Sequence, residues 1–575
     1  MNEHIRYEPD ERCPPVVTIG VALQGIMLVL ANTVLMVTIT ARAADQSERY
    51  LTWAVFAAMI IGGLVTALQA ARLGRLGAGH ILMSGASPHF VAISVLALTK
   101  GGQSLLVLLI VVSSLFQFAL AAWLPRLRRI ITPVVAGTSL MLIALTVMPV
   151  AFNRLTEVNE GESLGASLAV AGVTLATSAA LAMRASGVWR LWAPLIGITV
   201  GSAAAALAGL YDAQRVLDAP WIALPDVSAW PGLDLRPTEQ FWALLPVFVA
   251  VTLVVAIKTS GDGVVIQNVS RRRPRAIDFR VVQGTLNANG VGSLLAGLAG
   301  TPPTVAYSPS SISLINFTGV AARSVGYAIG IMLVGLAFLP KIAAILLAVP
   351  SAVMGVFLLT IMGLLFVEGM RMVVQDGLDH RKALVAGVAL GLGVGLQHRN
   401  VAAELLGETL GASLGNSMTV GIVAAILLTA FIELTSPRVR RLDAEVSAAA
   451  LPAVDTFLSE LAARIGWNDA SRDRLRAAGE ETLASLSQIH TPDETANAPR
   501  LIVLARPGDG AVEMEFLAVL EEQNIEDWMA HLGDQAETLN EEVISLRLLR
   551  HYAAAVRHRK YHGIDIVTVQ VKGSR

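Results

Sequence analysis

The sequence predicts a polytopic α-helical membrane protein of about 14 spans in two inverted seven-span repeats, followed by a C-terminal soluble α+β domain. Three observations carry this prediction. The 575 residues are 54% hydrophobic and only 15% charged, with a mean hydropathy of +0.61. Two apolar segments, one in each half, are broken by glycine and proline and restart at a Ser-Pro pair. After Arg441 the composition turns charged and mixed.

Residues 1–16 form a polar, acidic leader. It lacks the short apolar region and cleavage site of a secretory signal, so the first span is expected to act as the targeting signal. Apolar runs of about 20 residues, enough to cross a bilayer, then begin near Val17, Leu51, Gly77, Ser104, Ile130, Ser163, Trp192, Trp242, Val281, Pro303, Ser324, Pro350, Leu384 and Met418. They define a transmembrane domain over 17–437, with repeats over 17–210 and 238–437. The boundary near Gln397–Asn400 is the least sharply marked.

Lysine and arginine set the orientation. Loops after even-numbered spans carry Arg72 and Arg75; Arg126, Arg128 and Arg129; Arg184 and Arg190; Arg271, Arg272, Arg273, Arg275 and Arg280; Arg323; and Arg381 with Lys382. The long loop Tyr211–Pro237 is mainly acidic, with Asp212, Asp218, Asp226 and Asp234. The positive-inside rule therefore places both termini in the cytoplasm, in a cell (inner) membrane. In the tail, 442–575, Ala498–Phe516 reads as a strand, a Pro-Gly-Asp-Gly turn and a second strand; Glu542–Arg559 reads as a helix; and Ile564–Lys572 reads as a closing strand.

The third and tenth spans are the interrupted ones. In Thr301–Gly319, Pro302 and Pro303 lack an N–H and push their predecessors towards extended geometry. Ser308-Pro309 then reads as a helix start, with serine as N-cap. In Gly77–Phe90 the restart is Ser87-Pro88. Irregular backbone at membrane depth is tolerated where it is buried in protein or lines a cavity. Two such segments in corresponding positions point to a solute site at the repeat interface. Their helix N-termini favour carbonyl oxygens or an anion. Ser310 and Ser311 add hydroxyls on the first turn, unless they simply bond back to the helix. His89 stands next to Pro88 as a proton-carrier candidate, against a structural role for a lone histidine.

Lys258 is the sharpest single residue. It lies near the middle of a span bounded by Trp242 and Arg271, too deep to reach an interface easily, and an ionisable residue there is a functional hypothesis by default. Asp262 follows one helical turn later on the same face. Two readings stay open: Lys258 faces the solute, or it forms an internal ion pair with Asp262. Thr285–Gly300 spaces small residues for close helix packing, with Asn287 and Asn289 as interhelical hydrogen bonders.

The single cysteine, Cys13, excludes an intrachain disulfide or a cysteine-based metal site. No Walker loop, dinucleotide fingerprint, zinc pattern or hydrolase elbow occurs in the membrane part. The net charge of −1 carries no information on partners. An enzyme is not expected, nor a resident cofactor, a metal or a nucleic-acid partner.

Several motifs together resemble the nucleobase–ascorbate transporter family, the xanthine/uracil permeases. Tyr7–Pro15 is similar to its leader, Ala22-Leu-Gln-Gly25 to its first-span motif, and Gly85-Ala-Ser-Pro-His-Phe90 to its third-span motif. Pro133–Thr138 and Gly290–Gly297 are also similar to family segments. The resemblance implies two seven-span inverted repeats, a core and a gate domain, and elevator-type movement of a nucleobase-like solute with a proton or sodium ion, as a homodimer. Together with the residue reading above, it gives candidate substrate contacts at Gly25, Ser87, His89, Phe90, Lys258, Asp262, Ser308, Ser310 and Ser311. Three positions depart from the family: Lys258 stands where it has an acid, Ser310-Ser311 where it has Glu/Gln-Asn, and Gly25 where it has a histidine. The tail weakly resembles a degenerate histidine-kinase-like ATPase fold, with Ser485 where the magnesium-binding asparagine belongs. That implies loss of nucleotide binding and a domain that is regulatory, with a cytoplasmic partner, or an assembly module. A sulfate-permease-like anion transporter and a transporter-derived receptor remain as alternatives.

Overall fold

The computed structural model describes residues 4–127, 132–157, 163–185, 188–234, 236–272, 277–375, 380–396, 417–435, 440–489, 500–508, 510–518, 551–561 and 564–574. The chain divides into two compact units, one of His4–Ser270 with Val281–Glu433, the other of Met1–Glu3, Arg271–Arg280 and Leu434–Arg575.

The larger unit is helical. It begins with α1 (Pro15–Ala43) and α2 (Glu48–Ala70), which Ser47 caps through its hydroxyl. The first broken segment follows as β1 (Ser84–Ala86), a 3-10 turn (Pro88–Phe90) and α3 (Val91–Leu127). Gly102, at φ 69° and ψ −163°, splits α3 into two helical arms. Next come α4 (Pro133–Thr156), α5 (Leu164–Arg184) and α6 (Val188–Leu207), then the short α7 (Ala213–Asp218). The second half holds α8 (Glu239–Val269) and α9 (Phe279–Ala299), then a short strand, here β3 (Thr304–Ala306), and α10 (Ser308–Thr318). It continues with α11 (Arg323–Ala337), α12 (Pro340–Leu347), α13 (Ser351–Gln375), α14 (His380–Gly395) and α15 (Ser417–Thr435).

Seven of the described helices are long and apolar enough to cross a membrane. The count rises to 8 if α11 and α12, bent by 84° at Leu339's turn, make one span. Length and apolarity alone therefore deliver fewer than the 14 spans expected. The half-helices and α14 are shorter, and the stretch around Gln397–Asn400 lies outside the described residues, as do Arg128, Arg129, Arg273 and Arg275. The chain is a multi-pass membrane protein. Only 28% of the apolar window of α5 is buried against protein, which suits a helix whose outer face meets acyl chains.

Close helix approach is set by paired glycines. A Cβ on Gly63 of α2 would stand 2.6 Å from the Gly330 carbonyl of α11, and a Cβ on Gly330 the same distance from the Gly63 carbonyl. Gly137 of α4 and Gly369 of α13 make a similar crossing, at 2.3 and 2.5 Å. α13 runs along α4, α11 along α2, and α3 along α8. The leader is tied to the far end of α10: Arg6 N donates to the Gly319 carbonyl at 2.6 Å, and Arg323 pairs with Asp10 at 2.6 Å.

The smaller unit is a six-stranded sheet. Its strands are β2 (Ile277–Asp278), β4 (Arg440–Glu445), β5 (Arg500–Pro507), β6 (Ala511–Ala518), β7 (Ala555–Tyr561) and β8 (Ile564–Lys572), in the order β2-β7-β8-β6-β5-β4. All neighbours are antiparallel except β2 on β7. Alternating burial along β5 and β6 turns Val503, Met514 and Phe516 towards two helices, α16 (Leu451–Ile465) and α17 (Asp469–Ile489). The expected hairpin about Pro507–Gly510 and the closing strand Ile564–Lys572 are both present. The helix expected over Glu542–Arg559 is corrected in its last part, because Ala555–Arg559 is strand; residues 542–550 lie outside the described residues. Helical propensity there yields to pairing with β8. The sequence also offered no sign that Ile277–Asp278 would join this sheet.

Candidate functional site

The two broken segments meet. β1 and β3 pair antiparallel, Ser84 opposite Ala306 and Ala86 opposite Thr304. Ser87 N donates to the Pro303 carbonyl at 2.8 Å, and Tyr307 N to the Met83 carbonyl at 2.6 Å. The Tyr307 hydroxyl donates to the Ala86 carbonyl. These bonds satisfy extended backbone that would otherwise be unpaired at membrane depth. Gly85 permits the approach, since a Cβ there would sit 2.1 Å from Thr33 Oγ1 and 2.9 Å from the Tyr307 ring.

The helix starts differ from the sequence expectation in one respect. Ser308 is not the N-cap; it is the first residue of α10, and Tyr307 holds the cap position without a side-chain cap bond. The Ser308 hydroxyl is committed elsewhere, donating to Asp262 Oδ1 at 2.5 Å. Ser87 does hold the cap position before Pro88, but its hydroxyl pairs with His89 Nδ1 at 3.2 Å rather than with backbone.

On α8, Lys258 and Asp262 form an ion pair, Nζ to Oδ2 at 2.9 Å, with the residues only 6% and 7% exposed. Lys258 Nζ also donates to Ser308 Oγ at 3.4 Å. The three side chains close a triangle between mid-α8 and the start of α10. An unpaired ammonium at this depth would be strongly unfavourable; here the carboxylate neutralises it and the serine fills a further hydrogen bond. The internal-pair reading of Lys258 thus has its partner in place. Lys258 has three donors and the triangle uses two.

His89 is 3% exposed, and its Nε2 is buried with no hydrogen-bond partner. Phe90 packs on Phe248 at 6.2 Å between ring centroids. Ser311 spends its hydroxyl on the scaffold, donating to the Tyr307 carbonyl at 2.8 Å and accepting from Met83 N at 3.0 Å. Ser310 is half-buried beside it. Gly25 is away from the polar triangle: a Cβ there would meet Ile329, Leu314 and Met83 side chains at 2.7 to 3.1 Å. Behind α8, Asn289 Nδ2 donates to Thr259 Oγ1 at 3.0 Å and Asn289 Oδ1 accepts from Gln69 Nε2 at 3.2 Å, locking α9, α8 and α2 together. Asn287 donates to the Arg75 carbonyl at 2.8 Å. Sequence reasoning missed Tyr307, whose aromatic ring gave no periodic signal.

A buried charge cluster where two interrupted helices restart, in a bundle of membrane-crossing helices, fits the class of multi-pass membrane transporters. The described residues hold no group of acidic, histidine or cysteine side chains that could bind a metal ion. The Permease family model, of the xanthine/uracil permease type, matches residues 17–401, and the chain belongs to this family. It is 29% identical over 416 residues to a putative purine permease of Clostridium perfringens, covering 72% of this chain and 89% of the relative. It is 24% identical over 449 residues to the xanthine permease XanP of Escherichia coli, covering 74% and 94%. To the uric acid permease PucJ of Bacillus subtilis it is 26% identical over 388 residues, covering 65% and 83%.

Proposed function

We propose that this permease carries a purine of the xanthine or urate type, binding it between α8 and the starts of the two half-helices. The observation that carries the reading is the Lys258–Asp262–Ser308 triangle in a chain of this family. The spare Lys258 donor suits a ring carbonyl or an anionic oxygen. His89 Nε2 and Phe90 supply a polar and an aromatic neighbour, as Ser87, Ser310 and the α10 N-terminus do for oxygens. Movement is of the elevator type, coupled to a proton or a sodium ion, in a homodimer built on 14 spans in two inverted repeats, 17–210 and 238–437. The leader and the tail, 442–575, are cytoplasmic, in the cell membrane, and the tail serves a regulatory partner.

Uptake into proteoliposomes tests this. Labelled xanthine or urate enters, unlabelled xanthine or urate competes, and sulfate does not. Lys258→Met weakens binding about tenfold to a hundredfold, the cost of leaving a polar ligand group unpaired. Sulfate flux without purine flux would indicate an anion transporter, binding without flux a receptor; either outcome refutes the proposal.

The orientation has its own test. Protease added to intact cells leaves the tail whole, while inverted vesicles lose it. Cleavage from outside would reverse the topology.

A further inference from the structure

Glu368 is a charged residue on α13 that nothing above uses. It is half-buried on a membrane-crossing helix, and no described side chain gives it a hydrogen bond or an ion pair. Its charged neighbours are Lys258 and Asp262 on α8 and Arg371 on its own helix, and Arg371 is exposed. The adjacent Gly369 sits in the tight crossing with Gly137 of α4, and α4 in turn touches α8.

An intramembrane carboxylate with no partner marks a functional site by default. Lys258 and Asp262 already neutralise one another, so Glu368 is not needed to balance the lysine. It presents acceptor oxygens only, whereas Lys258 presents a spare donor. We infer that Glu368 is a substrate-binding residue, forming the second wall of the site and accepting N–H groups from a ring whose carbonyl edge is held by Lys258. The substrate class this selects is a planar heterocycle with alternating N–H and C=O groups, such as a dioxo- or trioxopurine. A simple oxyanion, having no N–H, meets repulsion there. The inference rests on the purine reading proposed above and adds a residue and a polarity to it.

Binding to the full-length protein in detergent, followed by ligand-dependent thermal stabilisation, tests it with xanthine, fully N-methylated xanthine and sulfate. The native protein binds xanthine and rejects the methylated ring, which keeps both carbonyls and has no N–H. Glu368→Gln weakens xanthine about tenfold to a hundredfold, since a charged acceptor is lost, and Glu368→Asp recovers part of the loss. Native affinity of Glu368→Gln for xanthine would overturn the inference and leave the purine reading standing. Binding of sulfate but not xanthine by the native protein would overturn both. Should Glu368→Gln fail to fold, equal binding of xanthine and its methylated form by the native protein overturns the inference by itself.

Discussion

Replacing Asp262 with alanine destabilises the protein by about 3–5 kcal/mol, the usual cost of removing one partner of a buried ion pair, and stops transport. Lys258 is 6% exposed and has Asp262 at 2.9 Å and Ser308 at 3.4 Å as its hydrogen-bond partners. Without the carboxylate the ammonium is left beside a hydroxyl, in surroundings that solvate charge poorly. Most of that cost belongs to the stranded lysine and not to the lost bond, because desolvation of a buried pair nearly cancels its attraction. The double variant Lys258→Met with Asp262→Leu therefore regains most of the stability while remaining inactive. Thermal unfolding in detergent, together with proteoliposome uptake, reads both quantities. If the double variant is as unstable as Asp262→Ala alone, the penalty does not come from an unpaired charge.

The second large effect lies at Gly77. Gly77→Ala destabilises by about 3 kcal/mol or more, combining a left-handed backbone cost of about 1–2 kcal/mol with an overpacking cost of about 1–3 kcal/mol. Gly77 has a φ of +83°, and a Cβ would lie 2.0 Å from the Ala71 carbonyl and 2.1 Å from that of Leu68. Both are backbone atoms at the end of α2, which cannot rotate aside. Gly77 N also donates to the Gly284 carbonyl at 3.0 Å, so the turn delivers the chain from α2 into the first broken segment. Gly74 is the control. Its φ is +63° but nothing lies within 4 Å of its Cβ position, so Gly74→Ala loses only the backbone part, about 1–2 kcal/mol. Equal loss for the two variants would mean that the carbonyl collision at Gly77 is relieved by movement of the turn.

Much of the fold was legible because its signals are local. Each proline and glycine that breaks the two segments acts on its immediate neighbours, so Ser87-Pro88 and Pro302-Pro303 announce broken helices without any tertiary information. The hairpin from β5 to β6 was visible for the same reason. Lys258 and Asp262 were legible as a pair because helical periodicity puts residues four apart on one face. Glu368 was not: a single acid near the end of an apolar helix reads as an interfacial residue, and only its approach to α8 across more than 100 residues of chain distinguishes it.

The sequence by itself determined a multi-pass membrane protein, two interrupted spans and a buried lysine–aspartate face, all set by hydrophobicity and backbone restriction over a few residues. Only the tertiary structure decided that β1 and β3 pair with one another. It alone took the Ser308 hydroxyl from capping α10 and gave it to Asp262, 46 residues away. It also turned Ala555–Arg559 into strand and recruited Ile277–Asp278 to the same sheet. In each case a backbone or hydroxyl group has a weak local option and a stronger distant one. The distant partner prevails because a buried polar group left unpaired costs more than local propensity supplies.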